Sequence, residues 1–161
     1  MHRRYFIQAL LLGGSAAALD TMSVLGTPGA MAFAVSKTDA EWKEQLSPQA
    51  YQVLRHQGTE RPFSSPLNDE HRKGTFLCDG CDLALFSSAT KFESGTGWPS
   101  FYKPLNHAVV TRQDTTLGMT RTEVLCQRCG GHLGHVFNDG PPPTGLRYCM
   151  NGVAMTFKPA A

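Results

Sequence analysis

The sequence has little excess of either charge. Its 15 Lys and Arg residues stand against 13 Asp and Glu, which leaves a formal net charge of +2, and no run of like charges concentrates it. Proteins that bind nucleic acid through electrostatics carry a basic patch or stripe. The composition therefore argues against a nucleic-acid partner. With 161 residues, 41% of them hydrophobic, the chain predicts one globular domain and not a disordered one.

Apolar runs long enough to cross a membrane are also missing. The apolar stretch near the start, Ala9–Leu19, has eleven residues, and at about 1.5 Å per helical residue it cannot span a hydrocarbon layer of about 30 Å. Basic residues precede it, and the segment Ala30–Ala34 holds two small-x-small cleavage patterns. This order of basic, apolar and cleavage regions is typical of an export signal. We predict a signal over residues 1–34 and a functional domain over 35–161.

The basic region indicates a route of export. Arg3 and Arg4 are followed at once by Tyr5–Ile7, which resembles a twin-arginine signal, the route of proteins exported already folded. We therefore expect a bacterial periplasmic protein with no stable membrane span. A general secretory signal and an uncleaved membrane tether remain alternatives.

The sequence also lacks segments that could connect parallel strands. Thr38 and Glu41 have the spacing of a capping box, and Ser47–Pro48 begins a second short helix that runs to Gly58. Beyond Gly58 no segment is long enough for the helical crossover that parallel strands need. We expect an antiparallel β core from seven short strands: Thr75–Cys78, Leu83–Phe86, Ala108–Thr111, Thr120–Cys126, His135–Asn138, Leu146–Asn151 and Ala154–Phe157.

Four of the five cysteines form two Cys-x-x-Cys pairs. They are Cys78 with Cys81 and Cys126 with Cys129, separated by 44 residues. Two such turns supply the four thiolates of a tetrahedral structural zinc site. The alternatives are disulfides, with three pairings in an oxidising compartment, and a redox centre, which is expected in a βαβ setting that this sequence lacks.

Cys149 remains outside the two pairs. Period-two alternation along its strand puts Arg147, Cys149 and Asn151 on one face. A neighbouring cation favours the thiolate, which is the reactive form of cysteine. The alternative is a buried structural cysteine.

Two further segments carry candidate functional side chains. His132 and His135 can supply or accept a proton near neutral pH, and Trp98 in a glycine-rich loop can offer an apolar face to a ligand. Each of these residues taken alone can equally be structural.

Together these segments resemble a known family. The chain is similar to the B-type peptide-methionine (R)-S-oxide reductases over roughly residues 38–158. The matching segments are Gly58–Phe63, Lys91–Phe101, Gly131–Phe137 and Arg147–Asn151, in the family's order and with both cysteine pairs.

The resemblance implies a fold, an activity and a set of site residues. It implies two antiparallel β-sheets in a tent or barrel with a structural zinc, and reduction of methionine (R)-sulfoxide in proteins or as the free amino acid. It makes Cys149 the nucleophile and places Trp98 against the substrate S-methyl group. Around the sulfoxide oxygen it places His132, His135 and Asn151, and it assigns supporting positions to Asp139 and Arg147.

One position departs from the family pattern. Many members have a second, resolving cysteine between the glycines of the loop before Trp98, where this chain has Thr96. With four thiols on zinc, we expect a thioredoxin-like protein or a small thiol to reduce the Cys149 sulfenic acid directly. The expected partners are oxidised proteins and this reductant, and the expected state is a monomer.

Two rival functions remain at the level of sequence. A zinc-stabilised binding module would leave Cys149 structural. A thiol peroxidase would also form a sulfenic acid at Cys149, but it would consume peroxide faster than sulfoxide.

Overall fold

Two short helices come before the β core. A computed structural model of the chain describes residues 31–161, so most of the predicted export signal lies outside the described residues. Helix α1 spans Asp39–Gln45 and helix α2 spans Pro48–His56. Between residues 31 and 161, no helix combines the length and the apolar character that crossing a membrane requires.

The sequence predicts how both helices begin. The Thr38 side chain accepts a hydrogen bond from the Glu41 backbone N–H, and the Glu41 carboxylate accepts one from the Thr38 backbone. Ser47 caps α2, Pro48 is its first residue, and Gln57 ends it in a left-handed conformation. The predicted capping box and second helix start are therefore confirmed.

Within residues 31–161, nine strands form two sheets, and every strand pairing there is antiparallel. The strands are Gly74–Cys78 (β1), Ala84–Ser87 (β2), Lys91–Phe92 (β3), Ser100–Phe101 (β4), Val109–Asp114 (β5), Arg121–Cys126 (β6), His132–Phe137 (β7), Arg147–Met150 (β8) and Met155–Pro159 (β9). The three-stranded sheet has the order β2-β1-β9, and the six-stranded sheet has the order β3-β4-β8-β7-β6-β5. The predicted mainly β, antiparallel fold is confirmed.

The observed strands differ from the predicted ones by one or two residues at most ends, and three differences are larger. The strand predicted at His135–Asn138 begins three residues earlier, at His132, because Leu125 of β6 pairs with His132 across an irregular register. The strand predicted at Ala108–Thr111 continues to Asp114. Strands β3 and β4 were not predicted, because two residues are too few for an alternation to show.

Aromatic side chains from both sheets form the centre of the core. The rings of Phe86 on β2 and Phe101 on β4 stack with centroids 4.3 Å apart, and Phe76 on β1 meets Phe101 edge-on at 4.9 Å. All three are fully buried. Stacked and edge-on pairs add to the stability gained from burial, so this cluster holds the two sheets together. Helix α2 buries Val53 and Leu54 in the same core.

Candidate active site

Cys149 lies on an inner strand of the six-stranded sheet. Strand β8 runs between β4 and β7, and its register pairs Cys149 with Ser100 on one side and with His135 on the other. The side chain is partly buried. A thiol in this position has fixed neighbours on both flanking strands, which the sequence alternation alone cannot specify.

Close approach of β7 to β8 requires Gly134. A Cβ added at this position would lie 2.1 Å from the Cys149 carbonyl oxygen and 3.0 Å from the Met150 Cα. No other residue fits between these backbones without moving them. The glycine between the two histidines therefore allows His135 to lie directly beside Cys149.

A cavity of about 130 Å³ opens beside Cys149. It brings together three of the predicted site residues with Cys149, namely Trp98, His135 and Asn151. The rest of its wall consists of Thr59, Arg121, Gly134, Phe137 and Met150. A mainly apolar cavity with a few converging polar groups is the usual form of a small-ligand site.

Opposing effects act on the Cys149 thiol. Burial raises the pKa of Cys149 above its ordinary value of 9.0, while hydrogen bonding from Thr96 and the positive charge of Arg147 lower it. The Thr96 Oγ1 lies 3.8 Å from the sulfur. Because burial prevails, the thiol is the dominant form at neutral pH, and ionisation needs a nearby proton acceptor.

His135 is the nearby group able to accept this proton, because it pairs with Cys149 across β7 and β8 and lines the same cavity. Its Nε2 lies 2.8 Å from the Asp114 Oδ2. Burial lowers the pKa of His135 below 6.5, the Asp114 hydrogen bond opposes this, and the charges of Arg121 and His132 add to the lowering. The ring is therefore neutral at pH 7 and able to accept a proton.

His132 lies behind His135 and does not line the cavity. The two ring centroids are 5.4 Å apart. The Nδ1 of His132 is 2.6 Å from Glu123 Oε1, and Gln57 and Arg112 also donate to the same carboxylate. The His132 Nε2 is buried and has no hydrogen-bond partner within residues 31–161. The structure thus brings His135, but not His132, to the cavity wall.

Trp98 and Asn151 are joined through one residue, Glu60. The indole Nε1 of Trp98 donates to the Glu60 carbonyl oxygen at 3.1 Å, and the Glu60 backbone N–H donates to Asn151 Oδ1 at 2.9 Å. Glu60 is only 4% exposed, and its carboxylate accepts hydrogen bonds from the backbone N–H groups of Gly152 and Val153. Glu60 therefore fixes both cavity residues and the turn that follows Asn151.

Arg147 and Asp139 form a pair outside the cavity lining. Two hydrogen bonds of 2.9 Å join the guanidinium to the carboxylate, and the guanidinium also lies 4.4 Å from the centre of the Phe137 ring. The Asp139 hydrogen bonds raise the pKa of Arg147. Arg147 acts on Cys149 through its charge, and Asp139 holds it in place.

The other four cysteines cluster as a metal site. Among the described residues, Cys78, Cys81, Cys126 and Cys129 place their sulfurs within 4.8 Å of one another. Across the two Cys-x-x-Cys turns, the Sγ–Sγ distance is 3.7 Å between Cys78 and Cys129 and 3.5 Å between Cys81 and Cys126. A tetrahedral zinc with Zn–S bonds of about 2.3 Å separates its sulfurs by about 3.8 Å. The donor set and spacing therefore fit one such ion.

Comparison with known proteins identifies the family. The SelR domain profile matches residues 46–159. Peptide methionine sulfoxide reductase MsrB of Thiobacillus denitrificans is 60% identical over 124 residues, which cover 76% of this chain and 94% of that protein. The MsrB proteins of Agrobacterium fabrum and Leptospira interrogans are 56% and 54% identical, over 78% and 80% of this chain and 93% and 98% of their own lengths. The chain belongs to the MsrB family of peptide methionine sulfoxide reductases.

The resemblance inferred from the sequence motifs is thereby confirmed, and so is the assignment to an oxidoreductase class. Sequence reasoning missed four residues around this MsrB cavity: Glu60, Asp114, Arg121 and Glu123. The sequence contained a partial signal for two of them: Arg121 and Glu123 lie two positions apart in a predicted strand, and period-two alternation puts them on the same face. No sequence signal pointed to Asp114, because its place beside the cavity depends on the β5–β6 register that pairs it with Arg121.

Proposed function

We propose that this chain reduces methionine (R)-sulfoxide in oxidised proteins, and as the free amino acid, through a sulfenic acid on Cys149. The observation that carries the proposal is the cavity that places Cys149, His135, Asn151 and Trp98 around one small space. The family membership supports the substrate class, and the geometry supports the role proposed for each residue. The preference for the R epimer rests on the family resemblance.

The first step is attack of the Cys149 thiolate on the sulfoxide sulfur. A sulfoxide sulfur is electrophilic and its oxygen is basic, so the attack needs a proton on that oxygen. His135 takes the thiol proton and returns it to the oxygen. The attack forms a bond between the Cys149 sulfur and the substrate sulfur. The protonated oxygen then moves to the Cys149 sulfur, which breaks both the S–O bond of the substrate and the new S–S bond. The electron pair of the S–S bond leaves with methionine, and Cys149 is left oxidised by two electrons as a sulfenic acid.

The other cavity residues bind and orient the substrate. The Trp98 ring, fixed through Glu60, offers a polarizable face to the S-methyl group, a contact worth about 0.3–1.5 kcal/mol. Asn151 is 4% exposed and held by Leu133 and Glu60, so its amide presents a fixed hydrogen-bonding group near the oxygen. His132 supports the same site from behind His135, through the Glu123 network.

The second step is reduction of the sulfenic acid by an external thiol. The Thr96 hydroxyl lies 3.8 Å from the Cys149 sulfur, and the other four cysteines cluster with one another. We infer that a dithiol such as a thioredoxin-like protein, or two small thiols, restores Cys149 and releases water. The two thiols of the reductant are oxidised to a disulfide.

The cysteine cluster is proposed to hold one structural zinc ion. Four thiolates leave no open position for substrate or water, which is typical of structural and not catalytic zinc. The ion would supply cross-linking of the two turns that carry it, and no step of the reduction passes through it.

Export through the first 34 residues is also proposed. The SelR match begins at residue 46, so the proposed signal lies outside the family domain. Phe33 packs against Gly130, and the Val35 N–H donates to the Arg128 carbonyl at 2.9 Å. Cleavage after Ala32 would keep both contacts, whereas cleavage after Ala34 would remove Phe33. N-terminal sequencing of the exported protein, with Arg3→Lys/Arg4→Lys as the export-blocked control, tests this.

The experiment that tests the activity supplies reduced enzyme with each epimer of a methionine sulfoxide and excess dithiol. We expect methionine from the R epimer only, and none from the Cys149→Ser variant. Turnover of both epimers would refute the stereochemical assignment. No turnover of either by the zinc-loaded protein would refute the function.

A further inference from the structure

A second, polar cavity lies beside the one at Cys149. It has a volume of about 250 Å³ and shares Thr59, Arg121 and His135 with the Cys149 cavity. His135 therefore stands between the two. The remaining wall of this second cavity is polar throughout: His56, Gln57, Asp114, Thr116, Glu123 and His132.

Asp114 receives four hydrogen bonds in this cavity. Thr116 donates its backbone N–H at 2.9 Å and its hydroxyl at 2.7 Å to Oδ1, while Arg121 Nη2 donates at 2.7 Å to Oδ2. The fourth partner is His135 Nε2, also on Oδ2. An ionised carboxylate only accepts and has about four acceptor positions. Asp114 is thus an anion, and the hydrogen of the neutral His135 ring lies on Nε2.

The hydrogen bonds of Asp114 have the expected electrostatic effect. Those from Thr116, followed by the one from His135, hold the pKa of Asp114 well below its ordinary value. The carboxylate therefore stays ionised across the pH range in which a histidine titrates. The hydrogen-bonding arrangement at His135 Nε2 is fixed over that whole range.

Arg121 holds the carboxylate from the facing strand. It pairs with Asp114 in the β5–β6 register, and its side chain lines both cavities. Its Nε is buried and has no hydrogen-bond partner in the described part of the chain. The bond from Nη2 to Asp114 is therefore the main polar anchor of a guanidinium that closes the wall beside His135.

We propose that Asp114, braced by Arg121, is the positioning residue for the proton transfer at His135. Asp114 holds the Nε2–H of His135, so that Nδ1 is the nitrogen left for the Cys149 cavity. It also stabilises the imidazolium that forms when His135 takes the thiol proton and before it delivers that proton to the departing oxygen. This inference rests on the proposed function.

The pH dependence of the reaction follows from the groups around His135. The titratable and charged residues that face it are His56 on α2, Asp114 on β5, Arg121 and Glu123 on β6, His132 on β7 and Cys149 on β8. Burial raises the pKa of Cys149 and lowers the pKa of His135 from their ordinary values, so the two pKa values lie far apart. Between these two pKa values the dominant state is the Cys149 thiol with a neutral His135 ring. The reactive state is the Cys149 thiolate with a protonated His135 ring, and the two states carry the same number of protons.

Because the proton count is the same, the first-turnover rate is flat between the two pKa values. It falls below the His135 pKa, where one proton too many is bound, and above the Cys149 pKa, where one is missing. The height of the plateau depends on how readily the proton moves from Cys149 to His135. Removing the Asp114 charge lowers the His135 pKa, so the acid limb moves to lower pH and the plateau falls by the same factor.

The test is a single turnover of reduced enzyme with methionine (R)-sulfoxide, without added thiol, for wild type and Asp114→Asn. In the variant we expect the acid limb of the pH–rate profile to move to lower pH by about one unit or more. The plateau rate should fall by the same factor, about tenfold or more. Asp69→Asn, an exposed carboxylate without a hydrogen bond among residues 31–161, is the control for lost charge. A fallen plateau with an unmoved acid limb would overturn the proposal.

A second readout does not depend on activity. Nitrogen NMR of the imidazole rings should show a lower His135 pKa in Asp114→Asn than in wild type, with a smaller change in the charge-retaining Asp114→Glu. An unchanged His135 pKa in a folded Asp114→Asn variant would overturn the positioning role. If the expected NMR shift is seen while wild-type enzyme leaves both sulfoxide epimers intact, the placement of His135 stands and the proposed function fails.

Discussion

At the scale of single residues, the site depends on contacts that cross between distant segments. Thr96 and Cys149 are 53 positions apart, yet their oxygen and sulfur lie 3.8 Å from each other. The glycine-rich loop thus carries Thr96 to the place where a second thiol would have to be in order to resolve a sulfenic acid. The Thr96 hydroxyl cannot form a disulfide, so reduction of the proposed sulfenic acid requires an external thiol.

Replacement of Thr96 by cysteine tests this placement. In Thr96→Cys we expect one sulfoxide turnover to end in an intramolecular disulfide with Cys149, because the new thiolate can attack the sulfenic sulfur. Peptide mass spectrometry should find the two residues linked, whereas wild type should retain the added oxygen on Cys149. A folded variant that retains the oxygen would show that the loop lies elsewhere in solution.

Glu60 provides a second test at the same scale. In Glu60→Gln the new amide would face two backbone N–H groups with only one acceptor, and a buried donor left unpaired costs about 1–3 kcal/mol. We expect the KM for methionine sulfoxide to rise roughly tenfold as Asn151 and Trp98 lose their fixed positions, with a smaller change in kcat. Glu44→Gln on exposed α1 is the matched control. Equal KM values for both variants would contradict the role of Glu60.

At the scale of elements, the sequence was most informative where the signal is local. The caps of both helices and most strands were predicted, because the capping residues, Pro48 and the β-branched runs act over a few positions. The start of β7 at His132 could not be predicted, since it depends on pairing with β6 across an irregular register. The position of Asp114 beside His135 likewise depends on long-range pairing. Motifs therefore named Cys149 and His135 but not the residues that orient them.

The contact between β7 and β8 gives a prediction at this scale. Gly134→Ala would push its Cβ against the Cys149 carbonyl, so we expect the strands to separate at a cost of about 1–3 kcal/mol and activity to fall steeply. Thermal unfolding and turnover report the two effects. Gly118→Ala is the comparison, because nothing lies within 4 Å of its added Cβ and only backbone strain of about 1 kcal/mol is expected. Similar losses in both variants would refute the steric argument.

At the scale of the whole molecule, the cysteine cluster joins the two sheets. Cys78 ends β1 in the three-stranded sheet, and Cys126 ends β6 in the six-stranded sheet. Each is followed within three positions by the second cysteine of its pair. A metal ion held by all four thiolates would therefore cross-link the two sheets.

Metal removal should accordingly lower stability before it alters chemistry. After chelation, or in Cys126→Ser, we expect a large drop in the Tm, since structural zinc sites contribute directly to folding. Cys149→Ser should retain one zinc per chain and a Tm close to that of wild type. Loss of zinc in Cys149→Ser, or an unchanged Tm after complete chelation, would contradict the division between one reactive and four structural cysteines.

The most direct test of the whole account follows the oxygen atom. Reduced, zinc-loaded enzyme is mixed with methionine (R)-sulfoxide labelled with heavy oxygen, in the absence of thiol. The amount of methionine formed and the mass of the oxidised enzyme's peptides are then measured by mass spectrometry. We predict one methionine per chain and one heavy oxygen on the peptide that contains Cys149. Methionine formed without any gain of mass at Cys149, or formed equally by Cys149→Ser, would contradict the account.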